Sequence, residues 1–247
     1  MNGNIEVILV DIGNTQLKYA EVIDGSIGAV KTHEQLSKLM TAYSSTTPFM
    51  ACSTRPGVLP SPNLNLLDYK TSVPIKVAYE TPETLGMDRL AAAVGAHELF
   101  PNRDTLIIDM GTCITMDLVT KDATFLGGII TPGLKMRMKS MNAFTANLPD
   151  ISERWQDINL KALGSTTEEC LLAGSLGGVL NEIQGAIDKL SQDFTSINVI
   201  LTGGDAQYFE SNLKAHIFAG SKIVLTGLYR IWKDLQEVSA ERSETEN

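Results

Sequence analysis

Asp11-Ile12-Gly13-Asn14-Thr15 and Asp109-Met110-Gly111-Thr112 repeat one pattern: a carboxylate, an apolar residue, a glycine and a short polar side chain, each closing an apolar run. The runs before them, Ile5 to Val10 and Leu106-Ile107-Ile108, read as buried strands. After the first turn Leu17, Tyr19 and Glu21 alternate with Lys18, Ala20 and Val22. After the second, Ile114, Met116 and Leu118 alternate with Cys113, Thr115 and Asp117. Each turn therefore folds a strand back on its predecessor as a hairpin. Strand, Asp-x-Gly turn and returning strand occur twice, the mark of a duplicated architecture. The expected division is a first half over 1–103, a second half over 104–238 and a polar, frayed tail over 239–247.

A single Asp-x-Gly-Asn element is a common hairpin turn and carries no chemistry by itself. Two copies, with Gly203-Gly204 following a third buried strand at Ile197 to Leu201, point to a nucleotide. Glycine lets the backbone approach phosphate oxygens, turn amides donate to them, and the aspartates hold Mg2+ or its waters. Lys18, seven residues beyond Asp11, is the nearby cation within reach of the phosphates. Such local devices are needed because the chain is acidic: net charge is −9 over 247 residues, which excludes a broad basic field for nucleic acid or anionic lipid.

The remaining composition, 43% hydrophobic and 20% charged, suits a soluble globular protein. The polar N-terminus does not read as a signal peptide, and no segment reaches ~18 consecutive apolar residues. Cys52, Cys113 and Cys170 are scattered and odd in number, against a disulfide framework, so a cytoplasmic protein is expected. His33, His97 and His216 lack neighbours at zinc-ligand spacing. Helices are expected over His33 to Tyr43, Arg89 to Phe100, Leu134 to Asn142, Thr166 to Leu190 with Thr166 or Ser165 as cap, and Leu228 to Val238. Further strands are expected at Pro48 to Ser53 and Ile75 to Tyr79. The proline-rich stretch Arg55 to Pro62 reads as loop, and Gly127 and Gly128 break up the strand region ahead of Pro132-Gly133.

Gly86-Met87-Asp88-Arg89 precedes the alanine-rich helix, and Asp88 has two readings: the helix N-cap or a reacting carboxylate. Arg89 opposes the helix dipole from the first turn, a mismatch that an anionic substrate would offset. Cys113 is either a reactive thiol or a small buried hydrophobe, and Tyr79 either a strand-end aromatic or a contact to substrate.

These motifs, with Gly127-Gly128-Ile129-Ile130-Thr131-Pro132-Gly133 and Thr202-Gly203-Gly204, resemble the type III pantothenate kinase signature in order and spacing over nearly the whole chain. Asp-x-Gly turns alone fit any member of the actin, sugar kinase and Hsp70 superfamily. Combined with Gly-x-Asp-Arg in a short chain they are specific. The resemblance implies an α/β fold of duplicated ribonuclease H-like (actin-like ATPase) type, two domains with an ATP cleft between them. It implies ATP-dependent phosphorylation of pantothenate to 4'-phosphopantothenate, the first step of coenzyme A biosynthesis. By that resemblance Asp11, Ile12, Gly13, Asn14, Thr15, Gln16, Leu17 and Lys18 bind ATP together with Thr112. Asp109 holds a monovalent cation, K+ or NH4+, and Mg2+ accompanies the nucleotide. Asp88 is the general base. Tyr79, Gly86, Met87, Asp88, Arg89 and Thr167 bind pantothenate, with Thr166 an equally placed hydroxyl one step from Thr167. Arg89 would take the anionic end of pantothenate or another polar part of it. A cytoplasmic homodimer follows from the family, with Leu171 to Val179 and Leu90 to Val94 as the apolar segments expected at a C2 interface, and neither nucleic acid nor membrane as partner. The rivals are a sugar or acetate-type kinase of the same superfamily, and a non-catalytic transcriptional accessory factor sharing the family's pattern. Retention of Asp11, Asp88 and Asp109 speaks against the second.

Overall fold

The computed structural model describes residues 4–210, 213 and 217–245. His216 lies outside them. The chain divides into two compact units. One holds Met1–Thr105, Asp117–Gly127 and Lys222–Asn247, and the other holds Leu106–Met116 and Gly128–Ser221.

The first unit is built on a hairpin. β1 (Ile5–Ile12) and β2 (Leu17–Ile23) pair antiparallel, with Asp11 opposite Lys18 and Ile12 opposite Leu17. The strand thus carries through Asp11 and Ile12, and the tight turn is confined to residues 13–16. β3 (Ser26–Ile27) and β4 (Lys31–His33) both pair with β2, while β5 (Phe49–Ser53) pairs parallel to β1 and β6 (Leu64–Leu66) parallel to β5. Val7 through Val10 are fully buried, so β1 is covered on both faces, which is why it reads as an unbroken apolar run. Ile8, Val10, Ile12, Leu17, Phe49 and Ala51 pack with Leu39 of α1 (Leu36–Thr41). That helix is shorter than its periodicity suggests, because Lys31–His33 are taken up as a strand against β2.

α2 (Met87–Leu99) and the C-terminal helix cross at glycine. A Cβ on Gly227 would stand 1.7 Å from the Ala91 carbonyl oxygen, and one on Gly95 would stand 2.2 Å from that of Ile223. Leu90, Ala91, Ala92, Ala93 and Val94 are all buried in this unit, so they do not form the exposed interface face expected of them. The tail expected to fray from Ser239 is also helical, up to Thr245; Ser239 bonds back to the Leu235 carbonyl and Ala240 and Glu241 are good helix formers.

β7 (Lys76–Val77) pairs parallel with Thr124 and Phe125 at the start of β10 (Thr124–Pro132). With β8 (Thr105–Met110), β9 (Cys113–Val119), β11 (Asn198–Thr202) and β12 (Ile217–Ala219) these make the second six-stranded sheet, ordered β12-β11-β8-β9-β10-β7. β10 runs unbroken through Gly127 and Gly128, where a break was expected, because Gly127 takes φ +91° within the strand. α3 (Leu134–Ala143) follows in the second unit.

The single helix expected from Thr166 is instead three pieces: α4 (Thr167–Leu172), a π-turn over Ala173–Gly177, and α5 (Gly178–Asp193). Gly174, Gly177 and Gly178 weaken the α-helix at that point. Thr166 is the cap, its hydroxyl accepting from the Glu169 N–H. Thr167–Asp193 is long and apolar enough to cross a bilayer by composition alone, yet Leu171, Leu172, Leu176, Val179, Ile183 and Ile187 are buried, as in a core helix. The apolar side chains of the second segment expected at a C2 interface are therefore also turned inward. The C-terminal helix already described is α6 (Ile223–Thr245).

Candidate active site

Asp11 sits at the end of β1, flanked by Lys18 on β2 and Cys52 on β5, both directly paired with it across the sheet. The Cys52 thiol donates to Asp11 Oδ1 at 3.7 Å. Burial, and after it the charge of Asp88, pushes the Asp11 carboxyl up to about 6, against the pull of Lys18 and the Cys52 thiol. Burial, reinforced by Asp11 and Asp88, holds the Cys52 thiol well above its ordinary value, so it serves as a donor and not as a thiolate. The turn beyond is closed by the Gly13 N–H bonding to the Gln16 carbonyl at 3.1 Å, and Asn14, Thr15 and Gln16 are exposed. Lys18 is not the sole cation here. Arg55, in the proline-rich loop, donates from Nη2 to the Asn14 carbonyl at 2.9 Å.

At the start of α2 the N-cap is Gly86, and Asp88 is the second helical residue. The cap reading of Asp88 is thereby corrected. Its carboxylate bends back to accept the Arg89 N–H at 2.9 Å. A Cβ at position 86 would meet Asp88 Oδ1 at 2.6 Å, so a larger residue there would displace the Asp88 carboxylate. Burial raises the Asp88 carboxyl above its usual value, opposed by the first-turn N–H groups and Arg89. The charge of Arg89 is matched by protein: its Nε lies 3.1 and 2.9 Å from the two oxygens of Asp117, to which Nη2 also donates. Tyr79 lies against the guanidinium, with Cζ 5.7 Å from the ring centroid.

The second turn lies in the other unit and is packed by glycines. A Cβ on Gly133, the N-cap of α3, would meet the Gly111 and Thr112 carbonyl oxygens at 2.4 and 2.5 Å, and the Gly133 N–H bonds to the Thr112 carbonyl at 3.1 Å. Gly203, at φ +95°, brings its α-carbon so close to Met110 that a Cβ would stand 2.5 Å from that backbone. The Asp205 N–H bonds to the Met110 carbonyl at 3.2 Å. The turn is closed by the Gly111 N–H bonding to the Cys113 carbonyl at 3.1 Å, and Asp109 Oδ1 lies 3.6 Å from where a Gly111 Cβ would stand. Beyond Gly203, at the carboxyl ends of β11 and β12, is a cavity of about 220 Å³ lined by Thr202, Gly204, Gln207, Glu210 and Ser221. Thr167, the first residue of α4, is exposed, whereas the Thr166 hydroxyl is engaged as cap.

The sequence profile of the type III pantothenate kinases matches residues 7–189. A type III pantothenate kinase from Cytophaga hutchinsonii is 36% identical over 237 residues, which is 91% of this chain and 97% of that one. Another, from Phocaeicola vulgatus, is 43% identical over 169 residues, 68% of this chain and 69% of its own. The chain belongs to the type III pantothenate kinase family.

Solved structures agree on the architecture. A Campylobacter jejuni protein described as a Baf family transcriptional activator aligns at TM-score 0.66 and 20% identity, covering 93% of this chain and 99% of that one. A ROK family protein from Streptococcus pneumoniae in complex with sucrose aligns at 0.52 and 13%, covering 94% and 99%. At such identities the likeness speaks to fold alone, and that fold is the two-sheet, actin-like ATPase architecture that the family resemblance implies. Within this kinase, sequence reading missed Asp117, Cys52 and Arg55 as neighbours of the family motifs. For Asp117 a signal existed: a cation in the first turn of a helix asks for an anion nearby.

Proposed function

We propose that the chain transfers the γ-phosphoryl group of ATP to the primary hydroxyl of pantothenate, giving 4'-phosphopantothenate, with Asp88 as general base. The observation that carries this reading is Asp88 itself: a half-buried carboxylate in the first turn of α2, raised above its usual pKa by burial and lying beside the Gly86 cap. In-line transfer asks the protein mainly for position and charge. Asp88 Oδ takes the hydroxyl proton as the oxygen attacks phosphorus and the bond to the β,γ-bridging oxygen breaks, releasing ADP.

In this reading the 11–18 turn, with Lys18 and the exposed amides, binds the ATP phosphates of the first unit's site. Thr112 contacts ATP in the second, where the glycine-packed turn and the N-terminus of α3 suit phosphate oxygens. The cavity at the carboxyl ends of parallel β11 and β12 is where such sheets take ligands, and it suits the nucleoside. Tyr79, Gly86, Met87, Arg89 and Thr167 bind pantothenate. Mg2+ would be held mostly by the ATP phosphates, with the Asp11 carboxylate completing its shell. The carboxylate of Asp109, at the second turn, is the hard oxygen that would hold a monovalent ion, K+ or NH4+. Both ions neutralise charge on the transferring oxygens.

The enzyme is taken to be a cytoplasmic homodimer. The apolar side chains of both expected interface segments are buried, and the large apolar side chains left exposed, Leu59, Phe144 and Leu163 foremost and Leu126, Ile129 and Ile130 of β10 among them, lie elsewhere. The test is a coupled ADP-release assay on purified protein with ATP, Mg2+ and K+, over pantothenate and a panel of sugars and acetate. Turnover confined to pantothenate supports the reading; turnover of a sugar or acetate instead, or of nothing, overturns it.

A further inference from the structure

Arg89 is placed where its charge is least welcome, in the first turn of α2, and it is 7% exposed. What holds it is Asp117 on β9, whose side chain is 3% exposed. The contact is a fork: Nε reaches both carboxylate oxygens and Nη2 reaches Oδ1. A fork of this kind fixes the plane of the guanidinium as well as its position. Tyr79 is the second neighbour, with Cζ of Arg89 5.7 Å from its ring centroid, and its ring packs 6.1 Å from that of Phe125. Gly127 completes the arrangement, since at φ +91° it has no side chain, and a Cβ there would stand 3.1 Å from the Tyr79 ring.

Buried ion pairs contribute little net stability, because desolvation offsets their attraction. Stability alone therefore does not account for Asp117 of β9 and Tyr79 meeting one guanidinium, with Phe125 and Gly127 of β10 packed behind the Tyr79 ring. Their common effect is orientation. The fork occupies Nε and one Nη2 hydrogen and leaves the Nη1 edge uncommitted to Asp117, one residue along the chain from Asp88.

We propose that Asp117 is a positioning residue for the kinase reaction: it grips Arg89 through Nε and Nη2 so that the guanidinium, held beside Tyr79, presents its Nη1 edge to pantothenate. Asp117 touches neither substrate. It acts through Arg89, and this inference rests on the pantothenate kinase reading above. Burial raises the Asp88 carboxyl, and Asp117 adds to that rise while Arg89 opposes it, so the pair also frames the charge beside the reacting carboxylate.

The experiment is steady-state kinetics on Asp117→Asn and Asp117→Glu beside wild type, with thermal melts. Asparagine removes the charge; glutamate keeps it and displaces the carboxylate by one methylene, so at least one variant keeps the buried arginine compensated. The expected result is a KM for pantothenate raised by about ten-fold or more in each folded variant, with the KM for ATP within about two-fold of wild type. In an Arg89→Gln background, Asp117→Asn is expected to add nothing further to the pantothenate KM, the non-additivity of residues acting as one unit. A wild-type pantothenate KM in folded Asp117→Glu, a parallel rise in both KM values, or additive effects in the double variant would each overturn the proposal. A wild-type enzyme inert toward pantothenate would instead overturn the functional reading on which it rests.

Discussion

Around Asp11 the neighbours carry charge: Asp88 raises its carboxyl, Lys18 faces it across the hairpin, and the Cys52 thiol donates to it. Around Gly111 and Thr112 the neighbours are bare backbone, with Gly133 and Gly203 so close that neither tolerates a Cβ. One motif has thus been elaborated in two directions. In the first unit the Asp-x-Gly turn is joined to buried ionisable side chains, and in the second it is joined to close backbone approach. Charge changes should therefore act on rate at the first turn, and added bulk should act on binding and stability at the second.

Asp11→Asn should break the first turn most severely, lowering kcat/KM by about 10² to 10³-fold as a designed-in charge is lost. It should also stabilise the protein without ligand. The carboxyl titrates at about 6 in the folded chain against 3.8 ordinarily, so the folded state holds its proton more tightly. The stability it contributes is present below 3.8 and is lost as pH rises through about 6, leaving an unfavourable buried charge at pH 8. A melting temperature for Asp11→Asn above wild type at pH 8, with the gap closing toward pH 4, is expected; a lower melting temperature at pH 8 would contradict it.

Gly203→Ala is the matching test of the second turn. The positive φ and the 2.5 Å approach to Met110 should cost about 1–3 kcal/mol of stability and weaken ATP binding. Gly13→Ala, whose Cβ would meet the Gln16 carbonyl at 3.2 Å, should be milder. Chemical denaturation of both variants would reverse the comparison if Gly13→Ala proved the more damaging. The smallest effect is expected at Asp109→Asn, which should lower activity by about ten-fold and remove its dependence on K+ or NH4+, since one hard oxygen ligand is lost. Assays in potassium, ammonium and sodium salts check this, and full wild-type activity with Mg2+ alone would defeat it.

Much of this was legible in the sequence. The hairpins follow from alternation, and the seven-residue spacing of Asp11 and Lys18 across a short turn places them side by side. What periodicity cannot give is partnership at long range. Asp117 reads only as one polar position in a strand, and its pairing with a helix residue 28 positions earlier depends on how the strand is laid down. α6 shows a helical pattern, but nothing in it says that Gly227 nests against α2. Asp88 was ambiguous for a local reason: an acid beside a helix start caps it or sits in its first turn, and only the backbone of Gly86 decides between them.

The central claim is that Asp88 takes the proton of the pantothenate hydroxyl. Its most direct test is Asp88→Asn, whose amide oxygen can still accept the Arg89 N–H and which leaves the Gly86 cap intact. Steady-state kinetics with ATP and pantothenate, beside a thermal melt, should show kcat lower by about 10² to 10⁴-fold at nearly unchanged melting temperature and ATP affinity. A normally folded Asp88→Asn with near-wild-type kcat would contradict the account.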